Sequence, residues 1–87
     1  MHGTVSNEEW DIFRDAYQFF AAHADPPANQ DAHAVDWWTQ TAQDVCEVDN
    51  RWTEIPLMRS LLLGIYEYLD FKAKEKTKEV AEFVQEQ

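Results

Sequence analysis

Apolar residues recur at helical spacing in three long segments of the chain. In the first, Trp10, Phe13, Tyr17, Phe20 and Ala24 follow one another at steps of three or four, with Ile12, Ala16 and Phe19 beside them. Asp11, Arg14, Asp15, Gln18 and Ala22 form the opposite face. Ser6-Asn7-Glu8-Glu9 has the spacing of a capping box, in which the Ser6 hydroxyl and the Glu9 carboxylate each accept the other residue's amide. Val5 and Trp10 occupy the two positions of a hydrophobic staple. Asp25-Pro26-Pro27 ends the pattern, because proline supplies no amide and disfavours helix in the residue before it. The spacing therefore predicts a helix over residues 6–24.

A second helix is predicted over 31–50, with Asn29 or Asp31 as its cap. Trp37, Thr41, Val45, Val48 and Trp52 share one stripe, and Trp38, Ala42 and Cys46 widen it. Asp36, Gln40, Gln43 and Glu47 face away. A third helix starts near Thr53 or Ile55, with Pro56 tolerated in its first turn, where an amide has no partner to lose. From Leu57 to Leu69 it is apolar almost all round, the signature of a central helix. Gly64 costs about 1 kcal/mol there relative to alanine, and close packing of a bulky tryptophan would account for it.

Nothing breaks the helical pattern between Asp70 and Gln87. Ala73, Val80, Phe83 and Val84 continue a sparse stripe through a segment rich in lysine and glutamate. A helix over 55–86 is roughly 48 Å long at 1.5 Å per residue, well beyond the reach of the first two. Its second half must project, or turn near residues 70–78 and pack as a fourth helix. The expected architecture is all-α: a single domain, a three-helix bundle whose long third helix is either continuous or broken into a fourth.

Composition sharpens this. Four Trp, three Tyr and five Phe among 87 residues supply a core that the short length alone would leave marginal. The formal charge is −10, and it is unevenly placed. Residues 1–71 hold 13 acids against Arg14, Arg51 and Arg59, whereas residues 72–87 balance four Lys with four Glu. So negative a body repels phosphate and anionic lipid, which argues against direct nucleic-acid or membrane-surface binding. Cys46 is the sole cysteine and suits a reducing compartment. The residues following Met1 have neither the basic nor the apolar region of a secretory signal, and a cytoplasmic location is expected.

Candidate chemistry is sparse. His23, Asp25, Asp31, His33 and Asp36 gather around the first loop, but no His pair at i and i+4 or closely spaced Cys pair makes a metal site of them, and they read as solvated loop residues. Cys46 reads as a small buried hydrophobe. With Gly3 and Gly64 as the only glycines, no phosphate-cradling loop is present. Acid pairs such as Asp11 with Asp15 or Glu67 with Asp70 fall on predicted solvent faces. No enzyme activity and no cofactor are expected.

The layout resembles that of small acidic helical proteins of phages and mobile elements of Gram-positive bacteria. Glu8-Glu9-Trp10 with Phe13 and Tyr17, then Asp36-Trp37-Trp38, then Leu61-Leu62 with Tyr66-Glu67-Tyr68-Leu69 carry the likeness. It implies an accessory role in replication, regulation or host interaction. The expected function is a protein-interaction module that self-associates as a dimer, through the C-terminal stripe or the aromatic face of the first helix. Candidate interface residues are Trp38, Tyr68, Val80, Phe83 and Val84. The alternative is an acidic decoy that occupies the basic, nucleic-acid-binding surface of a partner protein.

Overall fold

The computed structural model describes residues 4–53 and 55–86, with side chains as far as Ala81. Three helices make up the all-α fold: α1 (Asn7–Ala22), α2 (Ala34–Arg51) and α3 (Pro56–Glu86). The capping box forms as its sequence demands, with the Glu9 amide donating to Ser6 Oγ at 3.1 Å and the Ser6 amide to Glu9 Oε1 at 3.0 Å. Helix α2 begins three residues later than its spacing suggests. Asp31 spends its carboxylate on the His33 amide, at 2.7 Å, in a tight turn that precedes the helix. His33 is the N-cap residue and makes no side-chain cap.

Pairings along the helices fix the topology. Asp15 meets Trp52 and His23 meets Asp44, so α1 and α2 run antiparallel. Asp49 meets Arg59 and Trp38 meets Tyr66, so α2 and α3 are antiparallel too. Phe20 with Tyr68, Ala24 with Lys72 and Asn29 with Thr77 are each 48 positions apart, so α1 and the loop after it run parallel to α3.

The core forms where the three helices meet: Ile12, Ala16 and Phe19 from α1, Val48 from α2, Met58 and Leu62 from α3. Of the two apolar sets on α1, the core takes the one with the smaller residues. The inner stripe is Ile12–Ala16–Phe19, and Trp10, Phe13 and Tyr17 are 65%, 47% and 67% exposed. The small Ala16 lets α1 approach its neighbours closely, which a stripe of large rings would prevent. Two expectations fail. Cys46 is exposed, because Val45 and Val48 take the inward direction and the intervening 100° step turns the thiol outward. Outside its own turns of helix backbone, no atom lies within 4 Å of the place a Cβ on Gly64 would occupy, so no tryptophan packs there.

Helix α3 is continuous through residues 70–78. The 31 residues span roughly 46 Å, and the molecule measures 57 × 31 × 16 Å. The second half is covered in part by the loop between α1 and α2. Leu69 and Ala73 are fully buried. Lys72 donates to the carbonyl of Ala24, and Lys76 donates to the carbonyl of Pro26 at 2.6 Å and to Asp25 Oδ1 at 2.5 Å. Thr77 Oγ1 accepts the Asn29 amide at 2.7 Å, while Gln30 Nε2 donates to the Thr77 carbonyl at 3.1 Å. The lysines thus serve the carbonyls at the C-terminal end of α1, where positive charge also complements the helix dipole.

Candidate interaction surface

Each pair of helices leaves a groove on the outside of the bundle, and the three grooves differ in chemistry. The α1/α2 groove, of about 240 Å³, is polar: Asp15, His23, Asp44, Glu47 and Arg51 line it with Phe19 and Val48. His23 Nδ1 lies 2.8 Å from the Phe19 carbonyl and Nε2 lies 2.8 Å from Asp44 Oδ2. Both neighbouring atoms are oxygens, one a helix carbonyl and one a carboxylate. The bond to His23, seconded by Gln40, holds the Asp44 carboxyl below the ordinary aspartate value. Asp15 accepts from Trp52 Nε1 at 2.8 Å, with Arg51 at 4.0 Å. His23 with Asp44, and Asp15 with Trp52 and Arg51, tie α1 to the α2 end of the groove, while Glu47 is exposed. No serine, threonine or cysteine hydroxyl or thiol lines the groove.

The α2/α3 groove, also about 240 Å³, carries Val45, Cys46, Leu62, Leu63 and Tyr66 between the ion-paired Asp49 and Arg59. Trp38 lies on the same side, half-buried, edge-on to Trp37 at 4.8 Å and to Tyr66 at 5.3 Å. Its ring is engaged by its own chain.

The α1/α3 groove is the largest, about 400 Å³, and none of its lining residues is charged: Phe20, Ser60, Leu61, Gly64, Ile65 and Tyr68. Gly64 leaves the wall open between Leu61 and Tyr68. Phe20 and Tyr68 meet across the groove at 6.0 Å, and Lys72 closes its end with Nζ 5.9 and 5.7 Å from the two ring centroids. Trp10, Phe13 and Tyr17 precede Phe20 on α1 at steps of three or four, which places them on the flank of the same groove. Phe71, 56% exposed and stacked on Tyr68 at 6.4 Å, extends the opposite flank. A ridge of rings and an uncharged trough therefore lie side by side.

Among the expected interface residues, Tyr68, half exposed, is part of this surface. Val80 is 39% exposed on α3 beyond the loop contacts. The side chains of Phe83 and Val84 lie outside the described residues. Trp10, Phe13 and Tyr17 form the aromatic face of α1 that the sequence offers as one of two dimer routes, whereas Phe71 was not singled out. The signal available was the rivalry of two stripes on that helix, only one of which can be the core. Among the described residues no three His, Cys, Asp or Glu side chains gather as metal ligands, and no helix is long and apolar enough to cross a membrane. No protein-family model matches the chain, and neither a curated protein nor a solved structure matches it.

Proposed function

We propose that this protein is a non-enzymatic interaction module that docks through the aromatic surface of α1 and α3. The observation that supports the reading is the exposure of Trp10, Phe13 and Tyr17 on the flank of an uncharged trough. Soluble monomers rarely expose a contiguous apolar patch beyond a few hundred Å², and aromatic rings are the commonest anchors of protein interfaces. The proposed setting is the cytoplasm, as an accessory protein of a phage or mobile element, in line with the resemblance of the sequence.

A photo-crosslinking amino acid placed at Phe13 or at Gln43 tests the docking face. Position 13 flanks the trough, and exposed Gln43 is on α2. Crosslinks to protein should concentrate at position 13 and persist in 0.5 M salt. Crosslinks that prefer position 43 would refute the reading.

The acidic-decoy alternative draws on a different observation: Asp36 and Glu47 are exposed on α2, with Asp44 beside them partly so. Crosslinks at position 43 that vanish as salt rises would favour it, since charge attraction between surfaces is screened within about 8 Å at physiological ionic strength.

A further inference from the structure

We infer that the occupant of the α1/α3 surface is a second copy of this chain, paired about a two-fold axis. In that pairing the α1 ridge of each copy enters the trough of the other at Gly64. This rests on the reading of that surface as the docking face.

Four observations lead to it. First, ridge and trough are neighbours on one face. A two-fold interface uses the same patch on both copies, so a protrusion beside a matching depression is what such an axis requires. Second, the lining of the trough is uncharged, although exposed acids such as Glu9 and Glu67 lie elsewhere on α1 and α3. A copy carrying −10 would be repelled at most surfaces. The exposed acids Asp36 and Glu47 lie on α2, which does not contribute to the trough. Two copies can meet there with those acids still in water. Third, the area is adequate. Trp10, Phe13, Tyr17, Tyr68 and Phe71 are 65%, 47%, 67%, 50% and 56% exposed. At roughly 150–250 Å² per ring they present about 400–700 Å² per copy, and the walls of the trough add to that. A standard interface buries about 800 Å² per partner.

The fourth observation is Gly64. A glycine inside an exposed helix weakens it, and no neighbour in the chain needs the space, because outside its own turns of helix backbone a Cβ would meet nothing within 4 Å. In a pair, that vacancy receives a ring of the partner. The glycine then has opposite effects on the single copy and on the pair.

This opposition supplies the test. Sedimentation equilibrium of the full chain over a wide concentration range should show a species of about 20 kDa, twice the 10.2 kDa of one chain. Tyr17→Glu should raise the dimer dissociation constant at least a hundredfold. Gly64→Leu should raise it at least tenfold while the melting temperature of the dilute monomer rises. Gln43→Glu, which adds the same charge away from the trough, should move it less than threefold. A monomer at millimolar concentration overturns the self-pairing, while the crosslinking at position 13 still decides whether the face docks another protein. A dimer indifferent to Tyr17→Glu and Gly64→Leu overturns the pairing as described and places the interface elsewhere. Helicity measured on each variant by circular dichroism separates loss of pairing from loss of folding.

Discussion

Lys72 holds the C-terminal end of α1 from 48 positions away, and replacing it measures what that contact is worth. Its ammonium donates to the Ala24 carbonyl and lies within 6 Å of the Phe20 and Tyr68 rings. Lys72→Met keeps most of the aliphatic stem and removes the charge and the donors. A hydrogen bond with a charged partner contributes about 1.5–3 kcal/mol net, and a cation over an aromatic ring at an exposed site about 0.5–1 kcal/mol. Because Lys72 is only half-buried, the low end applies, and a loss of about 1.5–2 kcal/mol is expected. Lys78→Met is the control: it changes net charge by the same amount at an exposed lysine that forms no ion pair among the described residues. It should cost under about 0.5 kcal/mol. Urea titration followed by circular dichroism at 222 nm resolves the difference, and for a domain of this size the Lys72→Met loss corresponds to roughly 6–16 °C in Tm. Equal losses in the two variants would show that only the charge of the whole body matters, and would refute the role given to Lys72.

Three further outcomes follow from other contacts. The Asp44 carboxyl should titrate below its ordinary value of 3.8 in a carbon-detected NMR titration, and His23→Gln should move the midpoint upward. Since folding depresses this group, its contribution to stability is complete above the unfolded pKa and is lost as pH falls through the folded one; wild-type and Asp44→Asn stabilities should therefore begin to converge as pH falls below about 4 and meet only below the folded-state pKa. Ser6→Ala removes the acceptor for the Glu9 amide and should cost about 1 kcal/mol in the same urea assay. Cys46 is exposed, so Ellman's reagent should label it fully without denaturant, whereas slow labelling would show the thiol to be covered in solution.

Much of the fold was legible in the sequence because its signals are local. The capping box, the Asp25-Pro26-Pro27 stop and Pro56 in the first turn of α3 each act within a few residues of the boundary they set. What was not legible depends on partners far along the chain. The fastening of the loop to Lys72, Lys76 and Thr77 joins residues about 50 positions apart, and its acceptors are mostly backbone carbonyls that every residue carries. His23 and Asp44 give no sign of each other, since a histidine near a helix end has many possible partners. Which of two apolar sets on α1 faces the core was not legible for a different reason. The two stripes are both apolar, and size favoured the rings, whereas packing favours the set containing Ala16. The candidate surface follows from that outcome: the rings outside the core form the exposed ridge.

The parallel arrangement of α1 and α3 also sets a timetable for synthesis. Chains emerge from the ribosome N-terminus first, so α1 and α2 can pair early as an antiparallel hairpin. The carbonyls of Ala24 and Pro26 and the amide of Asn29 have no protein partner until residues 72–77 appear. The stretch from Ala24 to Asn29 therefore stays unfastened for most of translation, and the bundle locks only when its third helix is nearly made. A nascent chain arrested before residue 72 should accordingly remain open to proteases in the loop at residues 24–30, while one arrested after residue 77 has left the exit tunnel should resist them.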